Sequence, residues 1–345
     1  MMTQTPMEDN KIVAVTSGVI LVAVIGLILR LAKPVFFPFF LAIFFYFILS
    51  PALDFLMRLR IPKFIALFLI IVVAFCVLYL FGALIYASGK EFATSFPQYG
   101  ENFNALFHSL MEKIGLTKVS WDPWAWSKSL DINKVTPVVL SSLDKVFSFF
   151  STFALIFVFL VFMLAGRGKL MTKVEKSFLP ARAKKVNQII ENIDIQIQKY
   201  LIIKTGISLM SGVLAAAVLF IFGVHYAILF GFLTFVLNYV PSVGSIIAIA
   251  LCALSAAFQL ASFWPAVWIL LILIILDIFL ANFIEPKLMG HGLGLSPLAV
   301  LFSLIFWGWL WGMPGLILAV PLMAVIKIIC GNIPTLRFVA EIMSS

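Results

Sequence analysis

The chain has 345 residues, of which 63% are hydrophobic and only 11% are charged. Soluble domains carry about 25% charged residues, and a soluble fold could not bury so much apolar side-chain surface. The composition therefore excludes a soluble globular protein and predicts an all-α polytopic membrane protein. We interpret the net charge of +9 as a topology signal, with lysine and arginine on the cytoplasmic side, rather than as a nucleic-acid-binding surface.

Cysteine and histidine usage gives no sign of a metal or cofactor site. The cysteines lie in separate apolar runs and the histidines are isolated, so neither CxxC nor HExxH spacing occurs. The stretch from Gly82 to Lys90 lacks the spacing of a phosphate-binding P-loop. We therefore expect no cofactor, no metal and no enzymatic activity.

The N-terminal part, residues 1–89, is predicted to hold transmembrane helices. A spanning helix needs about 20 apolar residues. Three runs come close to that length, at 12–29, 35–53 and 64–89. A fourth predicted span covers residues 146–165.

Two regions between the predicted spans are more polar. Residues 90–145 contain an amphipathic stripe from Phe92 to Leu110 and are predicted to form an external helical region. The stripe could pack on the protein's own spans, lie on lipid or form a subunit seam. Residues 166–204 carry nine basic side chains against three acidic ones, which predicts a cytoplasmic amphipathic helix facing anionic lipid headgroups. With this loop inside, both termini are cytoplasmic.

Residues 205–345 are predicted to form the transport core. After a span at 205–223 come two apolar hairpins, each broken by glycine and proline, with a full span at 264–284 between them. Broken helices at membrane depth are tolerated where they are buried in protein or line a wet cavity, and they commonly bind a solute or ion. Because one span separates the hairpins, we expect them to enter from opposite faces. About eight transmembrane segments result, and the expected breaks and hinges are Pro241, Gly244, Pro286, Gly290, Gly312, Pro314, Gly315 and Pro321.

Polar side chains inside or beside these apolar runs are candidate solute- or ion-binding groups. A carboxylate within a span is costly, so Asp277 is interpreted as a proton or cation group, or as a buried partner for a cation such as Lys327. The alternative is structural: Glu285 and Lys287 end the span at the interface, and Asn238 caps a helix. The candidate residues are Asn238, Asp277, Asn282, Glu285 and Lys287.

Three C-terminal segments resemble the autoinducer-2 exporter family of PerM-like permeases. They are F-V-L-N-Y-V-P-S-V-G-S at 235–245, N-F-I-E-P-K-L-M-G-H-G-L-G-L-S-P at 282–297 and G-M-P-G-L-I-L-A-V-P-L at 312–322. The resemblance extends over essentially the whole chain, and the F-W-G-W-L stretch at 306–310 places it nearest the branch of autoinducer-2 transporters. The family motif residues carried over by position are Asn238, Pro241, Gly244, Asn282, Glu285, Pro286, Gly290, Pro297, Gly312, Gly315 and Pro321.

The resemblance implies an inner-membrane permease that exports autoinducer-2, a small polyhydroxylated signal, through hairpins that gate. Asn238 and Asn282 are then expected to hydrogen-bond the solute, and Glu285 or Asp277 to carry a coupling proton or cation. Other branches resemble sodium/proton antiporters, in which these two carboxylates would bind the ion. A membrane scaffold without transport is the third reading. The expected partners are a small solute and membrane lipids, with no nucleic acid, and the external stripe is compatible with a homo-oligomer.

Overall fold

A computed structural model describes residues 26–77, 154–166, 169–177, 179–260, 262–290 and 293–344, with a few isolated positions between 16 and 88. Within these residues the chain is helical without any strand, apart from an isolated bridge between Leu295 and Ser344. The all-α prediction is thereby confirmed. The predicted span at 12–29 lies mostly outside the described residues, and the external region at 90–145 lies wholly outside them.

The helices are numbered over the described residues. In chain order they are α1 (Lys33–Arg58), α2 (Lys63–Val77), α3 (Ala154–Gly166), α4 (Lys169–Ser177), α5 (Pro180–Ile221), α6 (Ala227–Leu237), α7 (Val243–Leu260), α8 (Phe263–Phe279), α9 (Glu285–Met289), α10 (Pro297–Trp311), α11 (Met313–Asn332) and α12 (Arg337–Ile342). A π-helical turn, Leu280–Ile284, joins α8 to α9, and a 3-10 turn, Pro334–Leu336, precedes α12.

Five of the described helical stretches are long and apolar enough to cross a membrane. They are Lys33–Arg58, Pro180–Ile221, Val243–Leu260, Phe263–Met289 and Met313–Asn332. The membrane class of the protein follows from these stretches, whereas the count of about eight segments stays a prediction.

The helices group into two compact units. Unit 1 contains Met1–Tyr46, Thr152–Lys173 and Leu295–Ser345, and unit 2 contains Phe47–Ser151 and Val174–Gly294. The predicted hairpins are thus in different units. The first hairpin, α6 and α7 with their connecting turn, belongs to unit 2, and the second hairpin, α10 and α11, belongs to unit 1.

Helix α5 organises unit 2. Its 42 residues join the basic segment and the predicted span at 205–223 into one helix, with no boundary at residue 204. After Pro180 at its start the sequence contains no proline that could break it. One face is buried and recurs at helical spacing through Ile197, Tyr200, Leu201, Lys204, Ser208, Gly212 and Ala215.

Helix α6 packs on α5 through a contact between two glycines. A Cβ on Gly212 would lie 2.6 Å from the carbonyl oxygen of Gly231, and a Cβ on Gly231 would lie 2.6 Å from the carbonyl oxygen of Gly212. Small residues of this kind let membrane helices approach closely. The contact fixes the register of α6 against α5 and so sets which polar side chains face each other.

The first hairpin turns within residues 238–242. Helix α6 has 11 residues and is about 16 Å long, which is shorter than the about 30 Å of a bilayer core. The chain reverses through Ser242, whose φ is +60°. Gly244 then passes so close to the end of α6 that a Cβ there would overlap the carbonyl oxygen of Leu237.

The second hairpin has the same backbone plan. Ser296 caps α10 by accepting a hydrogen bond from the Ala299 amide, with Pro297 in the first helical position. The helix ends at Gly312, whose φ is +74°, and a Cβ at Gly315 would overlap the carbonyl oxygen of Trp307. Helix α11 begins at once and continues through Pro321, so this proline does not end the helix.

Candidate functional site

Buried polar side chains line the contact between α5 and the turn of the first hairpin. The Asn238 amide nitrogen donates to the Ser208 hydroxyl at 3.3 Å, and both side chains are buried. The Tyr239 hydroxyl donates to the Thr205 hydroxyl at 2.7 Å, and Thr205 donates to the carbonyl oxygen of Leu201 at 2.6 Å. We call Asn238, Ser208, Tyr239 and Thr205 the polar cluster. Its members can donate and accept hydrogen bonds.

A buried ion pair connects α5 to α9. The Lys204 ammonium group donates to both carboxylate oxygens of Glu285 at 3.2 Å. The Lys204 side chain is 5% exposed and that of Glu285 is 23% exposed. Lysine is rarely buried without a partner, so Glu285 supplies the negative charge that holds Lys204 in place.

The π-helical turn sets the relative direction of Asp277 and Glu285. In a regular α-helix, eight residues at about 100° each would place the two side chains about 80° apart. A π turn adds one residue to a helical turn, which reduces this angle to about 20°. The two carboxylates therefore share one face of the stretch, about two turns apart.

A small cavity lies beside Asp277 in unit 2. Its volume of about 20 Å³ is enough for about one water molecule. Its polar lining comes from α5, α6, α7 and α8, and the rest of its wall is aliphatic. The polar lining residues are Ser211, Thr234, Ser245 and Asp277.

Two hydroxyl groups of this lining direct their hydrogens elsewhere. Thr234 donates to the carbonyl oxygen of Phe230 at 2.8 Å. Ser245 donates to the carbonyl oxygen of Ser242 at 3.2 Å. A hydroxyl group has one hydrogen and two lone pairs. Thr234 is also 3.7 Å from the Cys252 sulfur, and the Ser245 hydroxyl is a hydrogen-bond partner of the Asp277 carboxylate. The polar groups of the lining therefore satisfy one another in part.

The predicted site residues separate into two groups in the structure. Asn238, Asp277 and Glu285 belong to the polar cluster, the cavity and the ion pair. Asn282 and Lys287 are exposed, and the Asn282 amide donates to the carbonyl oxygen of Ile278 at 3.0 Å. The π turn, and not Asn282 itself, is thus the structural contribution of this segment.

The predicted hinges occupy turns and helix ends, with one exception. Pro241 lies in the turn of the first hairpin, and Pro286 stands in the first turn of α9. Gly290 ends α9 with a φ of +63°, and Pro314 stands in the first turn of α11. Pro321, by contrast, lies inside α11.

The charge pattern predicts Lys204 at the end of a basic cytoplasmic loop, whereas the structure gives it a buried ion pair with Glu285. The signal was available: Lys204 follows Tyr200 and Leu201 by four and three residues, so it falls on the predicted apolar face. A charge on the buried face of a helix indicates a buried partner. Thr205 follows Lys204 directly, and Ser208 lies one helical turn beyond it. Neither was among the predicted site residues.

Comparisons with known proteins agree over the length of the chain. The family profile described as "AI-2E family transporter" matches residues 18–335. The AI-2 transport protein TqsA of Escherichia coli K12 is 30% identical over 319 residues, which is 92% of this chain and 90% of TqsA. A Haemophilus influenzae protein is 33% identical over 325 residues and 92% of both chains. The YhhT protein of Escherichia coli K12 is 26% identical over 94% of this chain and 92% of its own length.

Proposed function

Because the chain belongs to the family of AI-2E transporters, we propose that it exports autoinducer-2 or a similar small polar solute. Membership makes it a membrane transport protein rather than an enzyme. The proposed location is the bacterial inner membrane with both termini in the cytoplasm, which follows from the excess of basic residues at 166–204. Transport is either facilitated or coupled to an ion gradient.

The observation that carries the proposal is the polar cluster. Asn238 and Ser208 are only 8% and 0% exposed, although they lie between apolar helices. Buried amide and hydroxyl groups are costly unless they are hydrogen-bonded, and here they are bonded to one another. A polyhydroxylated solute can replace these mutual bonds with bonds to itself, since Asn238 offers both a donor and an acceptor.

Binding of a solute of this size requires the first hairpin to move. The cavity beside Asp277 has room for about one water molecule, and the polar cluster is closed by its own hydrogen bonds. The turn at 238–242 is short, Ser242 has a φ of +60° that other packing must support, and Gly244 has no room for a side chain. Displacement of this turn from α5 would expose Asn238 and Tyr239 together, so we assign gating to the first hairpin.

A cation/proton antiporter is the second candidate. The observation in its favour is the size and lining of the cavity beside Asp277, which suits an ion better than an organic solute. In this reading, Asp277 and the pair of Lys204 with Glu285 form the ion-exchange site.

Transport by reconstituted protein tests the proposal. Labelled autoinducer-2 is loaded into proteoliposomes, and its efflux is followed with and without a proton or sodium gradient. Asn238→Leu removes the central amide of the polar cluster, and we expect efflux to slow at least tenfold. Asn332→Leu is the matched control, because Asn332 lies in unit 1 and its amide donates to the carbonyl oxygen of Ile328 at 2.8 Å.

The outcomes of these efflux measurements distinguish facilitated export, coupled export and antiport. Efflux that depends on Asn238 but not on Asn332 supports solute export through the polar cluster. Efflux that a gradient accelerates, and that Asp277→Asn uncouples, supports coupled export. Sodium-dependent proton movement without any efflux of autoinducer-2 would replace solute export by antiport.

A further inference from the structure

We propose that Ser50 and Gln198 form the cytoplasmic entrance of the solute path, where an uncharged hydroxylated solute replaces their mutual hydrogen bond with bonds to itself. As part of a solute path, this entrance rests on the proposed transport function. Opening of the entrance is detectable without any solute, so the two proposals can fail separately.

The hydrogen bond between Ser50 and Gln198 joins α1 to α5 within unit 2. The Gln198 amide nitrogen donates to the Ser50 hydroxyl at 2.6 Å, across 148 positions of the sequence. Ser50 is only 1% exposed, although α1 is an apolar helix. A buried hydroxyl is costly unless it is hydrogen-bonded. The glutamine amide has two hydrogens and a carbonyl oxygen, so this one bond does not exhaust its capacity to bind a solute.

Polar residues form a strip along the C-terminal half of α1. From residue 47 the helix reads F-I-L-S-P-A-L-D-F-L-M-R, so Ser50, Asp54 and Arg58 recur at steps of four. This spacing keeps them on one face of the helix. Arg58 is exposed, Asp54 is half-buried and Ser50 is buried. The strip therefore leads from the exposed basic end of α1 to the hydroxyl that Gln198 contacts.

A second strip on α5 leads from Gln198 to the polar cluster. Gln198 and Thr205 are seven residues apart, which places them about 20° apart around the helix and about 10 Å apart along it. Thr205 belongs to the polar cluster through its hydrogen bond with Tyr239. The apolar Leu201 lies between them and is buried. A solute thus meets two polar positions in turn, rather than one continuous polar channel.

The basic ends of both helices place Ser50 and Gln198 on the cytoplasmic side of the polar cluster. Helix α1 ends with Arg58, and α5 begins within the basic segment 166–204. Both ends are cytoplasmic by the positive-inside rule. A solute that leaves the cytoplasm therefore meets Ser50 and Gln198 before it meets the polar cluster.

The entrance is closed in this structure, and its chemistry allows it to open. Ser50, Leu53 and Leu201 are each only 1% exposed, so a solute passes only when α1 and α5 separate here. A hydrogen bond between two neutral groups contributes little net stability, because a hydroxyl group of water or solute can take its place. Neither Ser50 nor Gln198 offers a charge to an ion, so the exchange favours an uncharged hydroxylated solute.

Labelling of two equally buried thiols tests the entrance without a transport measurement. In a background without Cys76, Cys252 and Cys330, Ser50→Cys and Ser303→Cys replace serines that are each 1% exposed. A membrane-impermeant methanethiosulfonate reagent is added to inside-out or right-side-out vesicles. We expect it to modify position 50 from the cytoplasmic face at least tenfold faster than position 303, because only position 50 lies on the path. Labelling after denaturation verifies that both thiols are present. Equal rates at the two positions, or modification of position 50 from the outer face alone, would overturn the entrance.

Transport kinetics test whether the solute contacts Gln198. In inside-out vesicles export appears as uptake, so the KM for autoinducer-2 at the cytoplasmic face can be measured. We expect Gln198→Leu to raise this KM at least fivefold and to change the maximal rate less than twofold, since the polar cluster is intact. Glu191→Gln, at an exposed acid of α5, is the control and should leave both values unchanged. An unchanged KM in Gln198→Leu would overturn the contact with the solute. Cytoplasmic labelling at position 50 in a wild-type background without any autoinducer-2 transport would support the entrance and refute the proposed export.

Discussion

The first and second hairpins share a backbone plan but differ in their surroundings. Each reverses through a residue with positive φ, Ser242 in one and Gly312 in the other. Each then places a glycine, Gly244 or Gly315, where a Cβ would overlap a carbonyl oxygen of the preceding arm. Both hairpins therefore need glycine at the same stage of the turn.

The side chains around the two turns are of different kinds. In unit 2 the turn of the first hairpin bonds hydroxyl groups of α5, and its arms line a cavity with the Asp277 carboxylate of α8. In unit 1 the second hairpin is rich in aromatic rings. The ring centroids of Trp307 and Trp311 are 4.9 Å apart, and those of Phe40 and Trp311 are 5.2 Å apart. Its buried hydroxyl, Ser303, is bonded to the carbonyl oxygen of Ala319 at 2.7 Å.

This difference shows that a broken hairpin is not by itself a binding site. The turn makes a short helix possible, but the chemistry comes from neighbouring helices that carry polar side chains on a buried face. Helix α5 supplies Thr205 and Ser208 to the first hairpin. We therefore assign solute and ion binding to unit 2.

The largest expected effect is shared by both hairpins. Gly244→Ala and Gly315→Ala each force a methyl group into a backbone carbonyl oxygen. We expect each to lower the free energy of unfolding by about 3 kcal/mol or more, at the upper end for an overpacked site. Thermal unfolding and the yield of monodisperse protein measure this.

Gly206→Ala provides the control for these substitutions. It lies within α5, and a Cβ there would meet nothing within 4 Å. We expect no loss, or a gain of about 0.5–1 kcal/mol from helix propensity. Equal tolerance of alanine at positions 206, 244 and 315 would show that the hairpin turns are not as close as described.

The next largest effect on stability should differ between the ion pair of unit 2 and the ion pair of unit 1. Lys204→Met leaves Glu285 partly buried without its partner, and we expect a loss of about 2–3 kcal/mol, below the about 3–5 kcal/mol of a fully buried pair. Arg337→Met breaks the pair with Glu341 at 3.7 Å, whose side chains are 74% and 73% exposed. That change should cost no more than about 0.5 kcal/mol. Similar losses for both variants in thermal unfolding would contradict the burial of Lys204.

The smallest effect compares two buried serines. Ser303→Ala removes the hydrogen bond to Ala319, and Ser208→Ala removes the acceptor of the Asn238 amide. Each should reduce stability by about 1 kcal/mol, as is usual for one hydrogen bond. Only Ser208→Ala should also slow efflux, because only Ser208 belongs to the polar cluster. A transport defect in Ser303→Ala at normal expression would indicate that the second hairpin also takes part in solute binding.

The helical membrane class and the positions of the two hairpin turns can be predicted from the sequence because each has a local signal. Long apolar runs predict spans, and glycine with proline predicts Gly244 and Gly312 as turn positions. The ion pair and the cavity had no local signal. The two residues of the ion pair are 81 positions apart in the sequence, and the polar residues of the cavity come from four helices. The π turn was also hidden, because residues 280–284 read as a regular apolar helix.

Asn282 and Lys287 lie apart from the polar cluster and the cavity, and their role in binding stays a prediction. Their polarity within a distinctive motif predicted binding, but the helix turns both side chains to the exposed surface. The direction of a side chain depends on helix phase, which one added residue in the π turn changes by about 100°.

Cysteine accessibility in the polar cluster tests most directly whether unit 2 holds the transport site. In a background without Cys76, Cys252 and Cys330, Thr205→Cys places a thiol in the polar cluster, and Met313→Cys places one at the exposed turn of the second hairpin. Both are treated with a small methanethiosulfonate reagent in proteoliposomes, with and without autoinducer-2. We expect autoinducer-2 to slow modification at position 205 severalfold and to leave position 313 unchanged. Protection at position 313 alone, or at neither position during active efflux, would contradict the assignment of transport to unit 2.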